Sequence, residues 1–164
     1  MNKNFVTATP DSGSGGATVS VSASENQGGS RSTSLNVGGS GVNKSVSVSQ
    51  EAATIEYKYE ASIYPTLQYW NYDEFIEKGF QVTATQTKYV NGKPAGSKPA
   101  NWSFRKGSYS DPSTNYFSAR KDGNWLYISL ETQNDTGQEQ YQVYDIITPS
   151  GVSLGASCRA AVYG

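Results

Sequence analysis

Few side chains in this 164-residue chain could do chemistry, and what is missing is as telling as what is there. Histidine is absent, which removes the commonest general base and the commonest metal ligand. The single cysteine, Cys158, excludes an intramolecular disulfide and speaks against a structural zinc site. It alternates with Ala160 and Val162 in SCRAAV and reads as a small buried hydrophobe. The densest carboxylates, Asp73, Glu74 and Glu77, lie too close together to flank a sugar, which needs carboxyls facing each other at ~5–10 Å. They read instead as a solvent face or as caps at a helix N-terminus. Asp122, Asn134 and Asp135 carry oxygens that suit calcium. Their KDGN and QNDTG contexts fit tight turns equally well, and calcium needs about six oxygens or more. Gly38 to Ser45, GGSGVNKS, mimics a phosphate loop but leads into the alternating VSVSQ, a strand, where a phosphate site needs a helix N-terminus. No catalytic residue, cofactor or metal site is expected.

The aromatic residues are the remaining functional signal. Trp125 and Tyr127 fall on the parity opposite Leu126, Ile128 and Leu130 in WLYISLE. Tyr69, Trp70 and Trp102 lie near loops. Exposed rings stack on sugars or anchor protein interfaces. The competing reading is core, because a central strand buried on both faces would absorb them. These five residues are the candidate interface or glycan contacts.

The elements that must position them are strands. Val19 and Val21 alternate with hydroxyl residues, Leu35 and Val37 share a parity after a turn-rich ENQGGS, and Val46 and Val48 repeat the pattern. Period-2 alternation is the mark of half-buried antiparallel strands, and these read as a small meander. NFVTAT (residues 4–9) fits either a first strand or a flexible arm. IEYKYEA places Ile55, Tyr57, Tyr59 and Ala61 on one face. NYDEFIEKG predicts one short helix near residues 72–78, with Asn71 as cap, Glu74 at the capping-box position and Gly79 at its end. FQVTATQTKYV predicts a long strand with Phe80, Val82 and Ala84 inward, closed by the Asn91-Gly92 turn. Residues 93–117 read as a long connection with one short strand around Trp102 to Phe104. EQYQVYDII and SCRAAVY supply the last strands. VSVSASENQGGSRSTSLNV and ISLETQNDTGQEQYQVYDI superpose without a gap as two similar hairpins, Val19 on Ile128, Val21 on Leu130, Gly28 on Gly137 and Val37 on Ile146.

The chain has 17 Gly and 12 Tyr and is 16% charged, a turn-rich all-β composition. A net charge of −1 gives no field to draw it to nucleic acid or an anionic membrane. No run approaches the ~20 apolar residues of a membrane span, and the N-terminus carries no apolar export segment. Before Thr54 the only aromatic is Phe5, which places a boundary near residues 51–54. Two small domains follow: 1–53, rich in Ser and Gly, and 54–164, rich in aromatics and close to the ~100 residues of an immunoglobulin-like β-sandwich.

The order of Val19, Val21, Asn26, Arg31, Leu35, Val37, Val46, Val48 and Gln50 resembles the C-terminal half of BACON domains, which are immunoglobulin-like modules. The resemblance covers residues 17–52, and little precedes it to supply the usual N-terminal strands. Such modules occur in exported proteins of Bacteroides-type bacteria and in phages of those hosts. The resemblance implies two settings. With no export segment and no chemistry, the first expectation is a virion protein. It would decorate a capsid or belong to a head fibre, contacting the major capsid or another virion protein, or copies of itself. The alternative is a carbohydrate-binding accessory module of an exported bacterial protein, periplasmic or extracellular, whose partner is a surface glycan.

Overall fold

In the computed structural model, which describes residues 2–164, every regular element is a strand. The chain divides into two compact units. The first is residues 1–56 with 89–93, and the second is residues 57–88 with 94–164.

In the first unit β1 (Asn2–Lys3), β2 (Val6–Thr9) and β3 (Ser20–Ala23) form one sheet, and β4 (Arg31–Gly39) and β5 (Val42–Gln50) form another. Within NFVTAT, Val6 to Thr9 is a strand, with Val6 and Ala8 inward and Thr7 and Thr9 outward, and Asn4 and Phe5 are the turn that leads into it. The first-strand reading holds. Ser40 and Gly41 turn β4 into β5 with positive φ of 49° and 82°, so GGSGVNKS is a hairpin tip. The core is small: Val6, Ala8 and Leu35 are buried, with Phe5 and Val48 packed against them.

In the second unit two sheets enclose a continuous core. One has the order β11-β12-β8-β6, with β9 also on β8; the other has the order β10-β13-β14-β7. These strands are β6 (Ile55–Tyr64), β7 (Leu67–Trp70), β8 (Glu77–Val90), β9 (Lys93–Pro99), β10 (Ser103–Tyr109), β11 (Phe117–Asp122), β12 (Trp125–Leu130), β13 (Gln140–Ile147) and β14 (Ser153–Val162). Phe80, Val82, Phe117, Leu126 and Ile128 of the first sheet meet Trp70, Tyr144, Ile146, Cys158, Ala160 and Val162 of the second. This is a β-sandwich. Cys158 is buried, and burial pushes its thiol up to about 12.

Three expectations need correction. The helix near 72–78 does not form. Residues 71–76 make a tight turn, with Glu74 N on Asn71 O and Ile76 N on Glu74 O, and Glu77 to Gly79 already pair with Ser129 to Tyr127 as strand. The capping-box contact exists, since Asn71 N donates to the Glu74 carboxylate, but Tyr72, Phe75 and Ile76 are exposed. A seven-residue helix with no buried face cannot offset the cost of nucleation. The long connection at 93–117 contains two strands. Pro94, Gly96 and Pro99 weaken the sequence signal for β9, but an edge strand tolerates them. The superposed segments are not hairpins. β3 pairs with β2 and β4 with β5, while β12 pairs with β11 and β8 and β13 with β10 and β14, so each segment is an arch crossing from one sheet to the other.

Candidate functional sites

The outer face of β12 carries the pair singled out from sequence. Trp125 and Tyr127 stand opposite Gln81 and Gly79 of β8 and opposite Asp122 and Arg120 of β11. Their rings stack at 6.1 Å and lie over Gly79, where an added Cβ would meet Trp125 Cε3 and Tyr127 Cε1, each at 3.1 Å. The missing side chain is what lets two large rings lie flat on the sheet. Arg120 covers Tyr127, its guanidinium carbon 4.5 Å from the ring centre, and is held there by two bonds to Glu77 of 2.8 and 2.6 Å. That carboxylate raises the Arg120 pKa. One face of Tyr127 is thus occupied. Trp125, 40% exposed, is the ring of the pair with the more open surface.

The other three candidates part ways. Trp70 and Trp102 are buried in the core, so neither presents a contact surface. Trp70 Nε1 donates to Ile76 O, and its ring meets Phe117 edge-on. Lys121 spans Trp102, its Nζ 4.5 Å from the ring centre and bonded to Trp102 O at 2.7 Å. Tyr69 is exposed, but Tyr163 stacks on it at 4.9 Å and 10°.

In the QNDTG turn the Asn134 amide is fully engaged. Asn134, 1% exposed, donates through Nδ2 to Gln138 O and Val162 O at 2.7 and 3.1 Å, and its Oδ1 accepts from Thr136 N and Oγ1. No lone pair is left aimed at a cation. Among the described residues no group of three or more His, Cys, Asp or Glu could hold a metal ion.

Two surfaces were missed in the sequence, and both arise where an apolar strand face runs past the sheet that covers it. In the first unit β4 and β5 are nine residues long, about 30 Å, but β2 and β3 are four, about 13 Å. The inward face is covered at Leu35. The same face exposes Val46, the cross-strand partner of Leu35, and further along the ribbon Val37 and Val42, and Val42 reaches 60%. In the second unit Ile63 of β6 and Phe80, Val82 and Ala84 of β8 are core, but Tyr57 and Tyr59 on the same parity of β6 are 53% and 43% exposed. They sit beside Gln86 and Lys88 of β8. Gln86 Nε2 donates to Tyr59 Oη, and Tyr57, Gln86 and Lys88 line a shallow groove with Ala95 to Lys98. Alternation correctly placed these side chains on the inward parity but carries no information on how far the opposing sheet extends.

The first unit is thus a small all-β domain of two sheets on a minimal core. Residues 2–51 match the family model described as "BACON: Putative binding domain, N-terminal", so this segment is a BACON-type domain. The match begins at residue 2 and not at 17, so β1 and β2 lie within the matched segment. Neither the comparison with curated proteins nor that with solved structures gives a match.

Proposed function

We propose that this chain is a non-enzymatic structural protein of a virion, a phage capsid decoration protein or head-fibre component, that docks on a larger protein assembly through its BACON-type domain. The observation that carries this reading is the β4–β5 ribbon. It is a two-stranded sheet with both outer edges unpaired among the described residues, and an aliphatic face it cannot bury itself. Two-stranded ribbons are marginal alone, and such edges are normally blunted by charge. Here Arg31 and Lys44 are the only charged residues of the two strands. An isolated domain gains nothing from that arrangement, but a domain that completes itself on a shell does. The partner is the major capsid protein, another virion protein or a further copy of this chain. Mass spectrometry of purified particles of a phage encoding the chain tests it: stoichiometric presence agrees, and absence overturns it.

A second reading, a carbohydrate-binding accessory module of an exported bacterial protein, is favoured by one observation, the open Trp125 ring. Saturable binding to a neutral glycan that is lost in Trp125→Ala would place this reading first.

A further inference from the structure

We infer that the groove lined by Tyr57, Gln86, Lys88 and Lys98 is a binding site for an acidic polysaccharide, one bearing uronate or sulfate groups. It rests on neither functional reading, because a shell-bound protein and an exported module could each carry it.

Charge sets this groove apart. Eight lysines and arginines among the described residues are engaged: Lys78 with Glu74, Lys93 with Glu25, Arg105 with Asp145, Arg120 with Glu77, Arg159 with Glu139, Lys121 with Trp102 O, Lys106 with Asn115 and Arg31 with Gln50. Lys58 also has an interaction. The described cations whose side chains have no such partner are Lys44, Lys88 and Lys98, and two of these three line this one groove. No carboxylate lines it. On β6 the acidic Glu56 and Glu60 lie on the parity opposite Tyr57 and Tyr59, so they face away. In a chain of net charge −1, that makes a local site complementary to an anion.

Its shape and surface suit a sugar chain. Tyr57 and Tyr59 are two residues apart on one strand face, so their ring positions are about 7 Å apart, a spacing that can underlie successive sugar rings. The Tyr57 hydroxyl has no partner, and Gln86, whose Nε2 is committed to Tyr59 Oη, keeps its amide oxygen to accept from a sugar hydroxyl. The groove holds about 280 Å³ and is open, which suits a chain passing through and not a small molecule enclosed. An acidic peptide is the weaker occupant. Peptide strands bind by adding to a free sheet edge, whereas the groove is floored by β8, which is paired on both sides by β6 and β9.

The test is affinity electrophoresis of the whole chain through gels holding polygalacturonate, chondroitin sulfate or neutral dextran, with poly-glutamate as the sugar-free polyanion, repeated with Tyr57→Ala and with Lys88→Ala/Lys98→Ala. Circular dichroism serves as the fold control. Retardation is expected in at least one acidic gel and not in dextran, weakened roughly tenfold or more by either variant and by 0.5 M salt. No retardation in either acidic gel overturns the proposal. So does retardation that Tyr57→Ala leaves unchanged, or equal retardation by poly-glutamate, since either result marks a charged patch without a sugar site.

Discussion

The two arches of this molecule solve one problem in the same way and then diverge. In the first unit the chain leaves β3, crosses to the other sheet and enters β4, which pairs with β5. In the second it leaves β12, crosses and enters β13, which pairs with β14. Each loop is braced by an asparagine. Asn26 Nδ2 binds Gly29 O at 2.8 Å and Glu51 O at 2.6 Å, just beyond β5, and its Oδ1 accepts from Gly28 N. Asn134 does the same with Gln138 O, with Val162 O at the end of β14, and with Thr136 N. The difference lies in what surrounds the shared unit. Around the second arch β8 flanks β12, β10 flanks β13 and β7 flanks β14, and seventeen buried residues form the core. Around the first, β3, β4 and β5 keep bare outer edges among the described residues, and three buried residues suffice. The same scaffold is finished within the chain in one place and left open to contact in the other.

The comparison can be broken most severely at the cores. Ile128→Ala deletes a fully buried side chain of the second unit and should cost about 2–5 kcal/mol. Leu35→Ala should cost about 2–3 kcal/mol and unfold the first unit, whose core has little else. All three tryptophans, Trp70, Trp102 and Trp125, belong to the second unit. Urea titration followed by tryptophan fluorescence should therefore register the first substitution and miss the second, which far-ultraviolet circular dichroism should detect. If both probes respond alike to Leu35→Ala, the units do not differ as described.

The braces should rank next. Asn134→Ala removes the buried bond to Val162 O and one of the two side-chain donors to Gln138 O and should cost about 1–3 kcal/mol, whereas Asn26→Ala, in a half-buried loop that water reaches, should cost about 0.5–1.5 kcal/mol. Reversal of that order in thermal melts would sink the idea that burial of the arch is what separates the units.

Alkaline pH sharpens the same contrast. Burial raises both the Cys158 thiol, to about 12, and the Tyr144 hydroxyl. Both stay neutral in the folded state after the unfolded chain begins to ionise, so their contribution is complete below about pH 9 and is lost as pH rises toward 12. The second unit should lose stability across that window. Cys158→Ser should shift the onset upward only if the thiol is part of the cause. Smallest of all, Val42→Ser should change stability by no more than about 0.5 kcal/mol, because the side chain is already exposed, while weakening attachment to particles.

Much of this was legible in residue order. Alternation at Leu126, Ile128 and Leu130 gave β12 and its faces, Asn91-Gly92 gave the β8–β9 turn with φ of 51° and 77°, and the Val-Leu-Arg-Gln pattern gave the BACON resemblance. What stayed hidden depends on partners far along the chain. β7 exists because residues 67–70 pair in parallel with Arg159 to Val162, and nothing local in LQYW announces it. Tyr57 and Tyr59 have the parity of core residues and lack only a sheet above them. Glu77 to Gly79 satisfied helix rules locally and were drawn into β8 by pairing with β12. Trp70 and Trp102, near loops in sequence, are core because their neighbours in space are strands.

The central claim is that the β4–β5 ribbon is left open for a partner on a particle. Hydrogen exchange of the chain, free and bound to purified particles, tests it most directly. The account predicts that amides on the outer edges of residues 31–39 and 42–50 exchange rapidly in the free protein and are protected on binding, while β12 and β13 are unchanged. Protection confined to the second unit, with the ribbon exchanging equally in both states, would contradict it.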